Sequence, residues 1–202
     1  MRRLRAISED EMIAVFLACE FGSFRFGDQL RQLLKRDAVE PAVIEAPTLA
    51  SEQQNTYRRR LLGEVRGLGR DTALFHGFPD DVTWERCLLT PNEVSRIEYC
   101  NYSYWLELSN GTRKPAEGAA RIKQGVKQIM RQSTKNFRRG AAALRAGTKF
   151  REMILATHDR TRLVVIEGHL RLTVYMMEPR LVPDELEVIL GSSDRMTDWR
   201  LY

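Results

Sequence analysis

The sequence lacks the features that mark several classes of protein. Its 202 residues include three cysteines, Cys19, Cys87 and Cys100, which lie far apart and form no CxxC pair. An odd number without metal-ligand spacing argues against a disulfide framework and a cysteine zinc site. No stretch reaches the roughly 18 apolar residues of a membrane span, and the N-terminus has no signal-peptide core. We therefore expect a cytoplasmic protein without membrane association.

Motifs of common enzyme classes are missing as well. The sequence contains no Walker loop, no Gly-x-Ser-x-Gly motif and no Cys/His pairing that suggests a nucleophile. Its three histidines are His76, His158 and His169, and no two of them have metal-ligand spacing. We therefore predict no protein-bound metal site.

Acidic residues are absent from one long segment. Residues 118–151 contain ten Lys or Arg and no Asp or Glu, whereas the whole chain has a net charge of +5. Without these ten cations the remainder carries a net charge of about −5. One segment therefore makes the protein basic.

The first third of the chain is predicted to be mostly helical. Ser8 and Glu11 form a capping-box pattern ahead of an apolar stretch, so a helix is expected over about 8–20. Further helices are expected over about 26–36 and from Ser51 to about Gly67. We assign residues 1–78 to a helical N-terminal extension that packs on the following domain.

After residue 78 strand and helix patterns alternate. Strands are expected over about 82–89, 153–156, 163–166 and 186–190, and helices over about 91–96, 116–145 and 169–178. This order predicts a mixed α/β (α+β) domain over residues 79–202.

The stretch VVIEGHLR marks a junction between a buried strand and a helix. Glu167, Gly168, His169 and Arg171 lie there, where a helix start offers free N–H groups and the positive end of its dipole. Gly168 permits close approach of a ligand, and Arg171 can fork onto phosphate oxygens. Glu167 can hold a metal ion, a hydroxyl or Arg171 itself. The alternative is a tight turn that binds nothing.

The segment from Leu163 to Arg171 resembles the strand followed by Gly-x-x-Arg of the ParB/sulfiredoxin superfamily. The order of elements over about 82–191 is also similar to that family, with residues 106–113 resembling its first polar loop. Members include nucleotide-hydrolysing DNA clamps, a reductase of over-oxidised cysteine and small-molecule kinases. The resemblance implies a nucleotide or phosphorylated ligand such as ATP, ADP or CTP with Mg²⁺, and nucleotide hydrolysis or phosphoryl transfer as the activity.

The resemblance also implies roles for particular residues. Phosphate contacts would come from Gly168, His169 and Arg171, with Thr112 and Arg113 in the first polar loop. Glu167 and Glu107 are the candidate catalytic acids, and Glu98 is a further choice for the kinase acid. Three departures limit the comparison. The loop has no cysteine, which argues against sulfiredoxin chemistry, and Leu170 replaces the first of the two adjacent arginines usual in the clamps. The early-loop acid of the kinases has no single counterpart, since Glu107 and Glu98 both stand as candidates.

The basic segment suggests a second function. Lys123, Lys127, Arg131 and Lys135 are four apart and would share one face of the expected helix, with Arg138 one turn further along the chain. Such a face suits a nucleic-acid backbone in a non-enzymatic or regulatory module. A solvated face, or binding of polyphosphate or an acidic partner, explains the same charges.

Aromatic residues precede that segment. They could stack on nucleobases or, more commonly, pack against the sheet, because aromatic side chains favour half-buried strands. The residues are Tyr99, Tyr102, Tyr104 and Trp105.

Overall fold

The structure is a computed structural model that describes all residues 1–202. It is a mixed α/β fold with nine α-helices and a six-stranded mixed sheet. The helices are α1 (Glu9–Phe21), α2 (Gly27–Arg36), α3 (Ala42–Glu45), α4 (Glu52–Arg66), α5 (Pro91–Val94), α6 (Ser103–Leu108), α7 (Pro115–Lys123), α8 (Lys135–Arg145) and α9 (His169–Met177). The strands are β1 (Arg2–Ile7), β2 (Thr83–Leu89), β3 (Glu98–Tyr99), β4 (Gln128–Ile129), β5 (Gln132–Ser133), β6 (Met153–Thr157), β7 (Val164–Glu167) and β8 (Leu186–Ser192).

The main sheet has the strand order β1-β2-β8-β6-β7-β3. The pairs β8–β6 and β7–β3 are parallel, and the other three pairs are antiparallel. All five residues of β6 are buried, as expected for a central strand covered on both faces. Helix α9 follows β7 directly and packs against β6, α7 and α8. The sheet and these helices therefore hold the start of α9 in the interior of the molecule.

Local capping signals explain why the predicted N-terminal helices form. Ser8 accepts a hydrogen bond from the Glu11 amide at the start of α1, and Ser51 accepts one from the Gln54 amide at the start of α4. Helix α4 ends at Gly67, which adopts the left-handed conformation that glycine tolerates best. The expected helices over 8–20, 26–36 and 51–67 are confirmed, as are the four expected strands.

The first strand was not predicted. Residues 2–7 pair antiparallel with β2 at the edge of the sheet, so the N-terminal segment contributes a strand as well as helices. The strand is almost wholly exposed and rich in arginine. Ion pairs of Arg3 with Glu85 and of Arg5 with Glu11 fix it. The sequence does not indicate this strand, because its residues are mostly polar and show no hydrophobic alternation.

The predicted continuous helix over 116–145 is wrong. Helix α7 ends at Lys123, a β4–β5 hairpin follows, and α8 begins at Lys135. The left-handed backbone conformations of Gly125, Met130 and Arg131 break the helical path, the last two forming the turn of the hairpin. The Thr134 hydroxyl donates to the carbonyl of Val126 at 2.8 Å and ties the hairpin to its base.

One hydrophobic core runs through both parts of the chain. Its 48 buried residues include Met12 and Leu61 of the N-terminal helices and Val165 and Ile189 of the sheet. The C-terminal segment also folds back, since the indole of Trp199 donates to the Leu74 carbonyl at 2.7 Å. No helix in the chain combines the length and the apolar character needed to cross a bilayer.

Candidate functional site

Gly168 forms the junction between β7 and α9. Its φ of 106° lies in the left-handed region, where a residue with a Cβ is strained. A Cβ built there would come within 2.7 Å of the Met153 Cγ and 3.0 Å of an Arg171 guanidinium nitrogen. The backbone conformation and the packing of the protein itself therefore require glycine. A ligand that approaches this residue would meet its backbone.

Arg171 points back toward the residue that ends β7. One of its terminal nitrogens donates to the Glu167 carboxylate at 3.2 Å and to the Glu152 carbonyl at 3.2 Å. Of the roles considered for Glu167, holding Arg171 is the one that the structure shows. The Nε of Arg171 is buried and has no hydrogen-bond partner. One donor of this guanidinium is therefore unsatisfied, which is uncommon for a buried polar atom.

His169 is buried at the first position of α9. Its ring stacks on Trp105, with centroids 4.6 Å apart, and its Nε2 lies 3.1 Å from the Cys100 Sγ. Burial lowers the pKa of His169 well below 6.5, and the positive charges of Arg66, Arg25 and Arg171 lower it further. The imidazole is therefore neutral at pH 7.

The thiol of Cys100 is neutral as well. Burial raises its pKa to about 12, against the opposing charges of Arg113 and Arg66. The two rings and the thiol form a packed, uncharged contact. A Cys/His pair was not expected from the sequence, because 69 positions separate its members.

Two residues of the N-terminal helices complete the site. Glu20 of α1 is only 5% exposed, and its carboxylate lies 3.3 Å from the Nε of Arg66 of α4. That approach does not satisfy hydrogen-bond geometry, so the Arg66 Nε is also a buried donor without a partner. The Arg66 guanidinium lies over the Phe26 ring, 4.5 Å from its centroid. Sequence reasoning missed both residues, because they lie far from the junction along the chain.

Electrostatic effects link Glu20 to the junction. Burial, and after it repulsion from Glu167, together raise the pKa of Glu20 to about 7, against the opposing charge of Arg66. A carboxyl group that titrates near neutral pH, close to a second carboxylate, is suited to proton transfer. We call Glu20, Arg66, Glu167, His169 and Arg171 the buried charged cluster. Together with Arg25, which acts on Glu20 and His169, its arginines outnumber its carboxylates.

Thr112 and Arg113 of the first polar loop form hydrogen bonds to backbone oxygens of the protein itself. Arg113 donates to the Tyr99 carbonyl at 2.7 Å and to the Tyr202 backbone oxygen at 2.9 Å, and one of its terminal nitrogens is buried without a partner. Its charge acts on Cys100, so it borders the cluster. Thr112 is exposed and donates to the Ser109 carbonyl at 2.8 Å. Thr112 therefore stabilises the turn in which it lies, whereas Arg113 joins that turn to Tyr99 and to the C-terminal residue.

The structure does not bring Glu107 together with Glu167. Glu107 is exposed on α6, where it lines a separate cavity of about 430 Å³ beside Met130. No hydrogen bond or ion pair joins it to the cluster. Glu98, the further choice, pairs with Arg162 at 2.9 Å. Glu20 is thus the carboxyl group whose charge interacts with that of Glu167.

The basic residues do not share one helical face, because the expected helix is broken. Lys123 ends α7, Lys127 precedes β4, Arg131 lies in the hairpin turn, and Lys135 and Arg138 belong to α8. All five are exposed. The aromatic residues divide: Tyr99, Tyr104 and Trp105 are buried, the last two on α6 rather than on a strand, whereas Tyr102 is 45% exposed.

No group of three or more His, Cys, Asp or Glu side chains in the protein is arranged to hold a metal ion. No family model, curated protein or solved structure matches the chain. The ParB/sulfiredoxin-like fold therefore stays a prediction, supported by a motif and by the order of the elements.

Proposed function

We propose that the protein binds a phosphate-bearing ligand, a nucleotide in the first instance, where the start of α9 meets α1 and α4. The observation that carries the proposal is that the Nε atoms of two buried guanidinium groups, those of Arg66 and Arg171, form no hydrogen bond within the protein, although the Glu20 carboxylate lies 3.3 Å from the Arg66 Nε. Arginine nitrogens in proteins are generally satisfied, and phosphate oxygens are among their preferred acceptors.

The surroundings of the two arginines favour an anion. The positive end of the α9 dipole lies at Gly168 and His169, where backbone N–H groups commonly bind phosphate. With Nε2 facing the thiol of Cys100, a neutral His169 can carry its proton on Nδ1 and donate from there. The resemblance to the ParB/sulfiredoxin superfamily supports the same site, because it assigns phosphate contacts to this junction.

A nearby loop favours a nucleotide over inorganic phosphate. Residues 22–26 join α1 to α2 and supply Arg25, whose charge acts on the cluster. In the same loop Phe24 is 74% exposed, more than any other large hydrophobic residue of the chain. An exposed aromatic ring beside a phosphate site is suited to stacking on a base.

The cluster also contains groups suited to a chemical step. Mg²⁺ bound with a nucleotide needs only one or two protein carboxylates in addition to the phosphates, and Glu167 would provide one. Glu20, whose pKa is raised to about 7, would accept a proton from water or an acceptor hydroxyl. The activity that fits these groups is nucleotide hydrolysis or phosphoryl transfer.

Calorimetric titration with ATP, ADP, CTP and pyrophosphate, with and without Mg²⁺, tests the proposal. Arg66→Met should abolish binding of all four ligands. Phe24→Ala should weaken the binding of nucleotides about tenfold, in line with the energy of stacking on one base, and leave the affinity for pyrophosphate unchanged. Arg70→Met is the matched control, since Arg70 is half-exposed and pairs with Glu64 outside the cluster.

Two results would contradict the proposal. One is that the wild-type protein binds none of the four ligands. The other is that Arg66→Met binds them as the wild type does. In either case the cluster would be an ion-pair network that only joins the N-terminal helices to the sheet.

A further inference from the structure

The cations of residues 118–151 differ from those in the rest of the protein in having almost no acidic partners. Of the ten Lys and Arg side chains in this segment, only Arg145 forms an ion pair, with Glu178. Elsewhere 15 of the other 22 cations are paired. The charge of this segment is therefore not neutralised within the protein, whereas the charge of the remainder largely is.

The hairpin gathers these cations onto one region. The amide of Thr134 donates to the Lys127 carbonyl at 3.0 Å, so Lys127 lies at the base of the hairpin opposite Thr134, the residue that precedes Lys135. Arg138 reaches back to the Ile122 carbonyl at 3.1 Å and thereby lies next to Lys123. We define the basic surface by its six exposed cations: Lys123, Lys127, Arg131, Lys135, Arg138 and Arg139.

The start of α8 adds to the positive potential. Its first turns contain Lys135, Arg138 and Arg139 and no acidic residue, and Thr134 provides no capping hydrogen bond to it. Cations at a helix N-terminus are unfavourable, because the helix dipole is positive there. A bound polyanion would offset the charges of the dipole and of the side chains together.

A cavity next to the hairpin indicates what kind of polyanion fits. It has a volume of about 430 Å³ and is lined by Ser103, Leu106, Glu107, Asn110, Gly111 and Met130. The side chains of Ser103, Glu107 and Asn110 form no hydrogen bond or ion pair within the protein, so their donors and acceptors are free. Leu106 and Met130 provide apolar contact surface, and the exposed Tyr102 directly precedes Ser103.

These groups suit a nucleobase better than a phosphate. The Glu107 carboxylate repels phosphate but can accept hydrogen bonds from the amino group of a base, and an amide such as that of Asn110 can donate and accept. In a duplex the bases are stacked and paired, so only a single strand can place a whole base in a shallow cavity.

We propose that the protein binds single-stranded nucleic acid, with the backbone along the basic surface and an unstacked base in the cavity beside Met130. The cations contact successive phosphates, and the cavity contributes binding that depends on the presence of bases. This site is separate from the buried charged cluster and does not depend on a nucleotide bound there.

Fluorescence anisotropy with a labelled mixed-sequence single strand tests the backbone contacts. Lys127→Glu, Arg131→Glu and Lys135→Glu together should weaken binding about 100-fold at ~0.1 M salt and flatten the salt dependence, since three phosphate contacts are lost. The matched control reverses three exposed, unpaired cations elsewhere, Lys35→Glu, Arg96→Glu and Arg180→Glu, with the same change in net charge. Its affinity should stay within about threefold of the wild type, because its charges lie outside the contact surface.

The cavity is tested with three competitors: an abasic strand of equal length, inorganic polyphosphate and the corresponding duplex. The single strand should bind about tenfold more tightly than the abasic strand, and Met130→Ser should remove this preference without changing the salt dependence. Equal affinity for polyphosphate, tighter binding of the duplex, an equal loss in the control triple variant, or no binding by the wild type would each overturn the proposal.

Discussion

The Nε2 of His169 lies 3.1 Å from the Sγ of Cys100, and both groups are buried and uncharged. Nucleophilic cysteines differ from this arrangement, because their thiol is ionised and accessible. The pair instead fixes the orientation of the first side chain of α9. The ring of Trp105 stacks on the imidazole at 4.6 Å between centroids, and Tyr99 packs beside both rings, 6.2 Å from His169 and 5.0 Å from Trp105.

The neutral state of this pair predicts slow thiol chemistry. Burial raises the pKa of Cys19 and of Cys87 to about 11 and that of Cys100 to about 12. At pH 8 all three thiols should react with an aromatic disulfide reagent at least about 100-fold more slowly in the folded protein than in the unfolded chain. Stopped-flow absorbance in buffer and in guanidinium chloride measures the two rates.

A cysteine introduced at Ala142, an exposed position of α8, is the positive control and should react rapidly in the folded protein. If Cys100 reacted as fast as this control, its contact with His169 would have to be an ion pair, and the neutral assignment would be wrong.

The conformation of Gly168 predicts a loss of stability on substitution. Gly168→Ala should lower the free energy of unfolding by about 1 kcal/mol from strain at positive φ, and further because the methyl group would contact Met153 and Arg171. Gly147→Ala separates the two effects, since Gly147 has a φ of 88° and no atom lies within 4 Å of the position that its Cβ would occupy. Urea denaturation should show the larger loss of unfolding free energy for Gly168→Ala. Equal losses in the two variants would mean that backbone strain alone destabilises Gly168→Ala and that the contacts with Met153 and Arg171 add nothing.

Helix starts and the local part of the site could be predicted because their determinants are close in sequence. Ser8, Ser51 and Thr90 each accept a hydrogen bond from an amide three residues later, and Glu167 and Arg171 lie one helical turn apart. Such interactions need only a few consecutive residues, so the sequence reveals them directly.

The remaining features depend on tertiary structure. The hairpin turn places Met130 and Arg131 at positive φ without the Asn or Gly that usually signals such a turn. Glu20 and Arg66 reach the cluster only because α1 and α4 pack together, which no local pattern indicates. The prediction of one basic helical face was wrong because the hairpin breaks the expected helix. The cluster was predicted only in part because two of its members come from α1 and α4.

The contact between Arg171 and Glu167 predicts a measurable coupling energy. Both side chains are mostly buried, at 15% and 17% exposure, so removal of one leaves the other charge poorly solvated. Arg171→Met should cost about 2 kcal/mol, and less when Glu167→Gln is also present, with a coupling of about 1 kcal/mol. Chemical denaturation of the four proteins gives this value.

The more exposed pair of Arg162 and Glu98 serves as the comparison for that cycle. Its coupling should stay below about 0.5 kcal/mol, because solvent screens exposed charges. A coupling energy for Arg171 and Glu167 as small as this would mean that their ion pair contributes little to the stability of the fold.

Glu20 predicts a pH dependence with a definite sign. Its pKa is raised from 4.5 to about 7 in the folded protein, first by burial and then by Glu167. Between these two values the folded protein holds a proton that the unfolded chain has released. The stabilisation is therefore complete below about pH 4.5 and is lost as the pH rises through about 7.

Glu20→Gln removes this titration and keeps the shape of the protonated side chain. Relative to the wild type, the variant should gain stability as the pH rises from about 5 to about 8, by up to about 3 kcal/mol. His169 acts in the opposite direction, since it is buried uncharged and destabilises the fold as the pH falls below 6.5. It is present in both proteins, so its contribution cancels in the difference.

Urea denaturation at several pH values measures this difference. If it did not change with pH, Glu20 would be ionised throughout and Arg66 would neutralise it fully, so Glu20 would no longer be a candidate for proton transfer in the cluster.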